Sequence, residues 1–414
     1  MFRRSGIVLR LAVALALLAG ALALTGCFGG GGGISIYGSI DGYVYYHADA
    51  RGTGDSEAAK PEMIVTRSSK APSGYLPLQG ARVVAVQAGK ITYSNSRGYF
   101  ILTSLSPGVY DVSITHERFI NGLTYPGVQV VAGWTTHLGD AKLGSFFYLI
   151  IGINDYPGGP DDPNYHDLQY AVADAQLLED TLWGANGYAG EVVRLTDANA
   201  KKADIFSAIR EIGAKMSPNG QDYFVMTFSG HGGSWADPYP EPPGDDPQEF
   251  LVASDDEVIT DDELTTWIQD YIPTNFCLFV FDSCHSGGMV KGGPLPASAP
   301  AWMKNFRPGL SGLARDLNKY GYVVLMASDD DEVSYEDPNL DGGHGVFTYY
   351  LCEGITTGGA DTNPPDTFIS AQEVFDYVQP RVVDHTRGYP HGVQNPQLYA
   401  DPPERADIPI YRTP

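Results

Sequence analysis

Residues 276–288 read FCLFVFDSCHSGG, and this stretch decides the fold predicted for the second half of the chain. A short apolar run that ends abruptly in small and polar residues is typical of a strand buried on both faces of a parallel sheet. In open sheets of this kind, reactive groups gather beyond the carboxyl ends of the strands. Cys284 therefore lies where such a sheet would present a nucleophile.

A second buried strand is predicted over residues 223–229 (YFVMTFS), and it ends in a GHGG sequence that contains His231. A thiol attacks only as its thiolate, so Cys284 needs a base, and an imidazole at His231 can fill that role. As imidazolium it can later protonate a leaving amine. His285 is a rival base, but neighbouring residues at a strand end point in opposite directions, which favours His231. Taken separately, the two residues are equally well explained as a strand-end histidine and a buried thiol.

The motifs SGHGG and DSCHSGG resemble those of the caspase-like cysteine peptidases, and an aspartate two residues before the cysteine is the metacaspase form. Their histidine and cysteine are about 50 residues apart, as in caspases. The resemblance runs from about residue 146 to about residue 399. It includes GIN-Y at 152–156, LQYAVADAQLL at 168–178, LTDANAKKADI at 195–205, VITDDEL at 258–264, ASDDDEVSYE at 327–336 and HGVFTYYL at 344–351. It implies a His231–Cys284 dyad and an oxyanion hole formed by the amides of Gly232 and Cys284.

The same resemblance implies a substrate preference. Asp282 lies two residues before the predicted nucleophile on the same strand face, and Asp174 lies at the edge of the apolar face of a helix predicted over residues 168–183. Both match positions that line the metacaspase S1 pocket. Two carboxylates there would select Arg or Lys at P1 by charge and fork geometry, so we expect a protein or peptide substrate with a basic P1 residue. The alternatives are a turn carboxylate for Asp282 and a solvated helix residue for Asp174.

Calcium is also implied by the resemblance, because metacaspases often need it and bind it near the segment that corresponds to VITDDEL. The candidate ligands here are Asp255, Asp261 and Asp262. The family's further aspartate after the nucleophile has no match, Lys291 lies in that region, and helix capping also explains the last two acids. Residues 337–342 open like an EF-hand loop, but the twelfth position is threonine rather than glutamate. The thiol chemistry itself requires no cofactor.

Residues 1–26 have the composition of an export signal, with arginines followed by an apolar run and small residues. The sequence LTGC that ends at Cys27 resembles a bacterial lipobox, which would make Cys27 the lipidated first residue, followed by a glycine tether up to residue 33. An uncleaved transmembrane anchor is the alternative, but the apolar run is shorter than the roughly 20 residues that a span needs. We therefore expect an exported protein, anchored by lipid at the bacterial cell envelope.

Two different patterns follow the tether. Residues 34–143 contain short alternating segments separated by Gly, Pro and Asn, typical of an all-β sandwich. The stretch from PLQGARVVAV to VYDVSITHERF resembles the carboxypeptidase regulatory-like domain, a small transthyretin-like sandwich, and it shows no catalytic constellation. Residues 144–402 alternate strands with helices, which predicts an α/β domain whose mostly parallel sheet is covered by helices on both faces. The predicted elements include a strand at 146–151 and a helix at 202–215. Capping boxes predict helix starts at Thr260 and at Ser370, and the second of these helices is the last, expected to stop before Pro380. A tail, residues 403–414, ends the chain.

Composition limits the partners. The 50 acidic residues outnumber the 26 lysines and arginines, and the net charge of −24 argues against nucleic acid and fits basic substrates or cations. Four cysteines are too few for a disulfide framework, and Cys277 and Cys352 are predicted to be buried thiols because they lie in apolar segments. The resemblance to metacaspases implies a monomer.

Together these features predict an envelope-anchored, caspase-like cysteine endopeptidase that cleaves after Arg or Lys. Two alternatives stay open: a surface scaffold whose caspase-like domain is not catalytic, and another cysteine-dependent acyl transferase or amidase on the same fold. The second arises because a Cys–His pair fixes acyl transfer but not the acceptor. The proline-rich residues 288–318 also suggest self-cleavage, since they contain Lys291, Lys304, Arg307 and Arg315.

Overall fold

The computed structural model describes residues 36–47, 71–72, 75–116, 119, 122–157, 167–184, 189–217, 222–235, 248–283, 310–329, 332–362, 365 and 368–412. The predicted lipidation site Cys27, the predicted nucleophile Cys284 and the rival base His285 lie outside these ranges. Residues 288–309, which are most of the stretch in which we predict self-cleavage, also lie outside them.

The first part of the chain is β-rich, as predicted. Its strands are β1 (Gly38–His47), β2 (Tyr75–Pro77), β3 (Arg82–Ala85), β4 (Lys90–Tyr93), β5 (Tyr99–Leu105), β6 (Gly108–Thr115), β7 (Leu123–Val130) and β8 (Thr135–Lys142). One sheet has the order β2–β1–β5 with β8 also paired to β1, and the other has the order β4–β3–β6–β7. The two sheets share one apolar core, in which Val44 and Phe100 of the first meet Val83 and Val112 of the second. The transthyretin-like identity of this β-rich unit stays a prediction.

The second part alternates strands and helices. Its elements are β9 (Phe146–Gly152), α1 (Ala171–Gly184), β10 (Ala189–Thr196), α2 (Lys202–Lys215), β11 (Tyr223–Gly230), β12 (Gly232–Trp235), β13 (Gln248–Val252), β14 (Val258–Thr260), α3 (Asp261–Tyr271), β15 (Cys277–Ser283), α4 (Ser311–Lys319), β16 (Val323–Met326), β17 (Glu336–Asp337), β18 (His344–Gly345), α5 (Val346–Thr356), β19 (Phe368–Ser370), α6 (Ala371–Thr386), β20 (Gln397–Tyr399) and β21 (Pro409–Arg412). The main sheet has the order β10–β9–β11–β15–β16–β20. Only its edge strand β20 pairs antiparallel; the other neighbours within this sheet are parallel.

Helices cover both faces of this main sheet. Ile209 of α2, Ile268 of α3 and Leu317 of α4 belong to the buried cluster on one face. The opposite cluster contains residues of α1, α5 and α6, among them Leu178 and Leu351. The alternating side chains of a strand enter both clusters, which explains why every residue of β9, β11 and β15 is buried. The predicted α/β architecture is confirmed. No helix within the described ranges is long and apolar enough to cross a membrane.

Local signals for helix starts were accurate in two places. Thr260 and Glu263 form the predicted capping box of α3, in which the Glu263 amide donates to the Thr260 hydroxyl at 3.2 Å. Ser370 and Glu373 form the same arrangement at the start of α6. Each box satisfies two amides that the helix itself leaves unpaired, so each fixes the first residue of its helix.

The predicted end of α6 is wrong. We expected the last helix to stop before Pro380, whereas it continues to Thr386 with Pro380 inside it. An internal proline removes one backbone hydrogen bond and costs about 3 kcal/mol. Beyond the proline, Val382 and Thr386 are fully buried, and the Thr386 hydroxyl donates to the Val382 carbonyl at 2.8 Å. Burial of this last turn offsets the cost of the proline.

Substitution of Gly213 by alanine is expected to destabilise the α/β domain. A Cβ atom added to Gly213 in α2 would lie 1.9 Å from the carbonyl oxygen of Tyr271 at the end of α3. In an open helix the same change would stabilise by about 0.5–1 kcal/mol through helix propensity. Here we expect chemical denaturation to show a loss of about 2 kcal/mol or more, because the two helices must separate. The matched control is Ala214→Gly at the exposed neighbouring position, for which a loss of only about 1 kcal/mol is expected. Stabilisation by Gly213→Ala would contradict the close packing.

Candidate active site

The two strands that carry the predicted dyad lie side by side and end at the same level. β11 and β15 pair in parallel, with Ser229 opposite Asp282 and Gly230 opposite Ser283 as the last pairs. In sequence, His231 follows directly after the first strand of this pair and Cys284 directly after the second. Because Cys284 lies outside the described residues, the His231–Cys284 dyad stays a prediction.

His231 is held in a defined position. It is 2% exposed, and its ring lies with its centroid 4.5 Å from that of Tyr156. Its backbone amide donates to the Tyr156 hydroxyl at 2.8 Å, and its carbonyl accepts from the Val252 amide at 2.8 Å. These contacts fix the main chain on both sides of the imidazole. Tyr156 belongs to the GIN-Y motif, but its contact with His231 joins residues 75 positions apart and could not be predicted from that motif.

Gly232 lies in a space that admits no side chain. A Cβ atom there would lie 2.5 Å from the Ser283 hydroxyl oxygen and 3.0 Å from the carbonyl oxygen of Phe250. The backbone that follows His231 therefore packs directly against the residue that precedes Cys284. The contact explains why this position is glycine. The oxyanion hole of the Gly232 and Cys284 amides stays a prediction, because Cys284 lies outside the described residues.

Asp174 and Asp282, predicted to line an S1 pocket, come together in the fold. A Cβ atom on Gly345 of β18 would lie 2.5 Å from Asp282 Oδ2 and 2.8 Å from Asp174 Oδ2. The two carboxylates thus flank one glycine, beside the ends of the paired strands β11 and β15. Both are buried, Asp174 at 1% exposure and Asp282 at 9%. Asp174 is therefore not the solvated helix residue of the alternative interpretation.

Each carboxylate is satisfied by hydrogen bonds from the protein. Asp174 accepts from the Ser229 hydroxyl at 3.1 Å and from the Gly345 amide at 3.1 Å, and its Oδ1 lies 2.9 Å from Nδ1 of His344. Asp282 accepts from the Ser334 hydroxyl at 2.6 Å. It also accepts from the hydroxyl and the amide of Thr348, at 2.7 and 3.2 Å. Two buried carboxylates therefore persist at this point because five neighbouring residues supply donors.

Burial changes the titration of this pair. Burial and the nearby Asp282 carboxylate together raise the pKa of Asp174 to about 7, although the hydrogen bond from His344 lowers it. Burial also raises the pKa of Asp282, and the hydrogen bonds from Ser334 and Thr348 oppose that rise. The net charge of the pair is therefore expected to change near neutral pH.

Most of these donors come from one segment, residues 334–348, for which the sequence predicted no role in the site. Its hairpin of β17 and β18 is fixed to the start of α1, where Glu336 accepts from the backbone amides of Gln169 and Tyr170 at 3.2 and 2.7 Å. The motifs ASDDDEVSYE and HGVFTYYL overlap this segment. These motifs mark the segment as part of the family resemblance. They do not predict its contacts with Asp174 and Asp282, which join residues more than 50 positions apart in sequence.

The three predicted calcium ligands do not form one ligand set. Asp255 accepts from the Lys202 amide at the start of α2, at 3.2 Å. Asp261 accepts from the Glu249 amide at 3.4 Å and from the adjacent Asp262 amide at 2.9 Å. Within the described ranges, no group of three or more His, Cys, Asp or Glu side chains is placed to hold a metal ion.

Other acidic groups also have protein partners. Burial and the nearby Asp261 carboxylate raise the pKa of Glu249, so these two acids form a buried pair. Asp337, which opens the EF-hand-like stretch, accepts from Asn339, His385 and Tyr389 at 2.8–2.9 Å. Its pKa is lowered to about 2, chiefly by the Asn339 amide. The carboxylate at the first position of that stretch therefore links α6 and the residues after it to the β17–β18 segment through hydrogen bonds.

The two remaining thiols are buried, as predicted. Cys277 in β15 and Cys352 in α5 are free and inaccessible to solvent. Burial raises the pKa of Cys352 to about 12 and raises that of Cys277 as well. Neither is therefore a nucleophile at neutral pH, because the reactive species is the thiolate.

Comparisons with known proteins agree with the resemblance read from the motifs. The model of the Peptidase_C14 family, described as the caspase domain, matches residues 147–406. No curated protein matches the chain. Among solved structures, protein GSU0716 from Geobacter sulfurreducens is similar at 19% identity and a TM-score of 0.41, over 62% of this chain and 92% of that one.

Two further solved structures are also similar to part of the chain. Pro-sf-caspase-1 is 14% identical with a TM-score of 0.37, over 62% of this chain and 86% of that chain. A cohesin–X-dockerin complex from Acetivibrio cellulolyticus is 23% identical with a TM-score of 0.16, over 25% of this chain and 52% of that chain. At these TM-scores, the three structures add nothing to the family match. That match covers more than half of the 414 residues, and the chain therefore belongs to the caspase-domain family.

Proposed function

We propose that this protein is a cysteine endopeptidase that cleaves after Arg or Lys, with Cys284 as the nucleophile and His231 as the base. The observation that carries the proposal is the parallel pairing of β11 and β15 up to Gly230 and Ser283. Because these strands end together, the residues that follow them directly in sequence, His231 and Cys284, are the dyad candidates. The fixed backbone on both sides of His231 supports the same role.

In the proposed reaction, His231 takes the proton of the Cys284 thiol, and the thiolate attacks the carbonyl carbon of the peptide bond. The tetrahedral oxyanion is bound by the amides of Gly232 and Cys284, an interaction often worth about 3 kcal/mol. The imidazolium then protonates the leaving amine, and water attacks the resulting thioester with His231 again as the base. The packing of Gly232 against Ser283 keeps the backbone that follows His231 next to the residue that precedes Cys284.

We assign the basic P1 preference to the carboxylate pair. Asp282 is the more exposed of the two and lies next to the end of β15, so we place it in contact with the P1 side chain. Asp174 is almost fully enclosed next to Gly345. We therefore expect it to attract the P1 side chain by its negative charge, without direct contact. An ammonium or guanidinium group would be attracted by both charges, whereas an acidic P1 residue would be repelled.

Calcium binding by Asp255, Asp261 and Asp262 stays a prediction, and the proposed reaction does not depend on it. The proposal does include a lipid anchor at Cys27, which would place the enzyme at the bacterial cell envelope, and a monomeric state. These two features rest on the LTGC sequence and on the family resemblance respectively.

Replacement of the dyad residues tests the reaction. With fluorogenic peptides carrying Arg or Lys at P1, we expect no turnover by Cys284→Ala and a loss of at least about 1000-fold in kcat for His231→Ala. The controls are His285→Ala and Cys352→Ala, which should stay close to the wild type. Full activity of Cys284→Ala, or loss in His285→Ala with retention in His231→Ala, would contradict the assignment. Absence of turnover by a folded, reduced wild type on any peptide would favour the scaffold or another acyl acceptor.

Replacement of the carboxylates tests the P1 preference. We expect Asp282→Asn to lower kcat/KM for Arg substrates about 100-fold, because loss of one partner of a buried charge pair costs roughly 2–5 kcal/mol. Asp174→Asn should have a smaller effect, about tenfold, since its contact is indirect. A substrate with an uncharged P1 residue is the control, and its hydrolysis should change little. Equal losses for charged and uncharged P1 residues would indicate a structural role for the pair.

The raised pKa of Asp174 predicts a pH dependence. As pH rises through about 7, this carboxyl loses its proton, the pair becomes more negative and the preference for Arg strengthens. Titration of the dyad changes kcat/KM for all substrates alike. It therefore cancels in the ratio of kcat/KM for an Arg substrate to kcat/KM for a substrate with an uncharged P1 residue. We expect this ratio to rise with pH in the wild type and to stay level near pH 7 in Asp174→Asn. A level ratio in both would contradict the titration of Asp174 in this range.

A further inference from the structure

One end of the N-terminal β-rich unit exposes four large apolar side chains, which we call the apolar tip. They are Trp134 at 72% exposure, Ile36 at 63%, Val131 at 47% and Tyr37 at 46%. Single exposed apolar residues are normal on protein surfaces, whereas several together usually mark a contact with another molecule. The tip belongs neither to the candidate active site nor to the core of the unit.

The four side chains are held together by the backbone. The Gly133 amide donates to the Tyr37 carbonyl at 2.9 Å, and the Ser39 amide donates to the Trp134 carbonyl at 3.0 Å. Between them, a Cβ atom on Gly38 would lie 2.4 Å from the Val131 carbonyl oxygen. The segment that precedes β1 and the turn between β7 and β8 are therefore closely packed. The apolar tip is a fixed surface of the fold.

The apolar tip is uncharged although the protein is strongly acidic. Residues 36–40 and 128–136 contain no Asp, Glu, Lys, Arg or His, in a chain with a net charge of −24. Such a surface avoids the cost of moving charges out of water. Trp and Tyr, each with an apolar ring and a polar atom, are the residues enriched where a membrane meets water.

The position of the tip in the chain identifies its occupant. Ile36 is where the N-terminal segment joins the β-rich unit, and it follows Cys27 by nine residues, which span at most about 30 Å. A lipid attached at Cys27 would therefore keep the tip close to the bilayer. We propose that the apolar tip lies in the interfacial layer of a lipid membrane, with Trp134 in contact with the acyl chains. The tip would then fix the orientation of the β-rich unit relative to the membrane surface, which a flexible tether alone does not do.

Fluorescence quenching can test this contact without relying on lipidation. The chain from residue 28 keeps every described contact, because these begin at residue 36. An N-terminal hexahistidine tag would bind it to phosphatidylcholine vesicles that contain a nickel-chelating lipid and brominated acyl chains. Bromine quenches only tryptophans that it touches. We expect quenching in the wild type that is absent in Trp134→Phe, and equal fluorescence loss in both proteins would overturn the proposal.

The chain offers a matched control. Tyr93 in β4 is 61% exposed, and two strands, β3 and β6, separate β4 from β7 in the sheet. In the Trp134→Phe background, a Tyr93→Trp substitution should give a tryptophan that is not quenched. Quenching at that position as strong as at Trp134 would mean non-specific contact and would overturn the assignment to the tip.

A second measurement separates a membrane from a protein as the occupant. Without the tag, binding to phosphatidylcholine vesicles should weaken at least about tenfold in Trp134→Ser, because the substitution removes the largest apolar side chain that the membrane would bury. Sedimentation of the same proteins without lipid should show no change in mass. A dimer that dissociates on Trp134→Ser substitution, with no vesicle binding, would identify the tip as a self-association surface. These outcomes are independent of peptidase activity, so failure here would leave the proposed reaction standing.

Discussion

The parallel pairing of β11 with β15 is the constraint on which the candidate site depends. Since parallel strands in register end at the same edge, Gly230 and Ser283 lie opposite each other although they are far apart in sequence. The pairing ends at Gly230 and Ser283, so the geometry of the site is set by backbone hydrogen bonds in the buried sheet. The helices that the structure describes on the two faces of that sheet exclude water from the strands and hold this edge in place.

Beside this edge, the structure keeps two carboxylates out of water, which is costly unless donors compensate. The compensation comes largely from residues 334–348, so this segment, α1 and the end of β15 form one polar unit. Gly345 lies between the two carboxylates and has no room for a side chain. The arrangement concentrates negative charge in a region of low polarity, where it acts strongly on a cation but also titrates near neutral pH. The burial that would make the pair selective for a cation therefore also makes its charge dependent on pH.

Sequence reasoning was most successful where local signals decide structure. The strand at 146–151, the helix at 202–215 and the capping boxes at Thr260 and Ser370 are confirmed because hydrophobic periodicity and caps act over a few residues. The convergence of Asp174 with Asp282 followed from family resemblance, not from periodicity. The donors Ser334, His344 and Thr348 were missed, since their contacts join distant segments. The end of α6 was wrong because burial of its last turn outweighed a local rule for proline.

Covalent labelling tests the central claim most directly. The reduced protein would be treated with a peptidyl-arginine acyloxymethyl ketone, an irreversible reagent for active-site thiols, and the modified residue would be located by peptide mass spectrometry. The matched reagent with aspartate in place of arginine is the control. Stoichiometric modification of Cys284 by the arginine reagent, and little by the aspartate reagent, is the predicted result. Absence of labelling in the folded protein, or modification of Cys277 or Cys352 instead, would contradict the account.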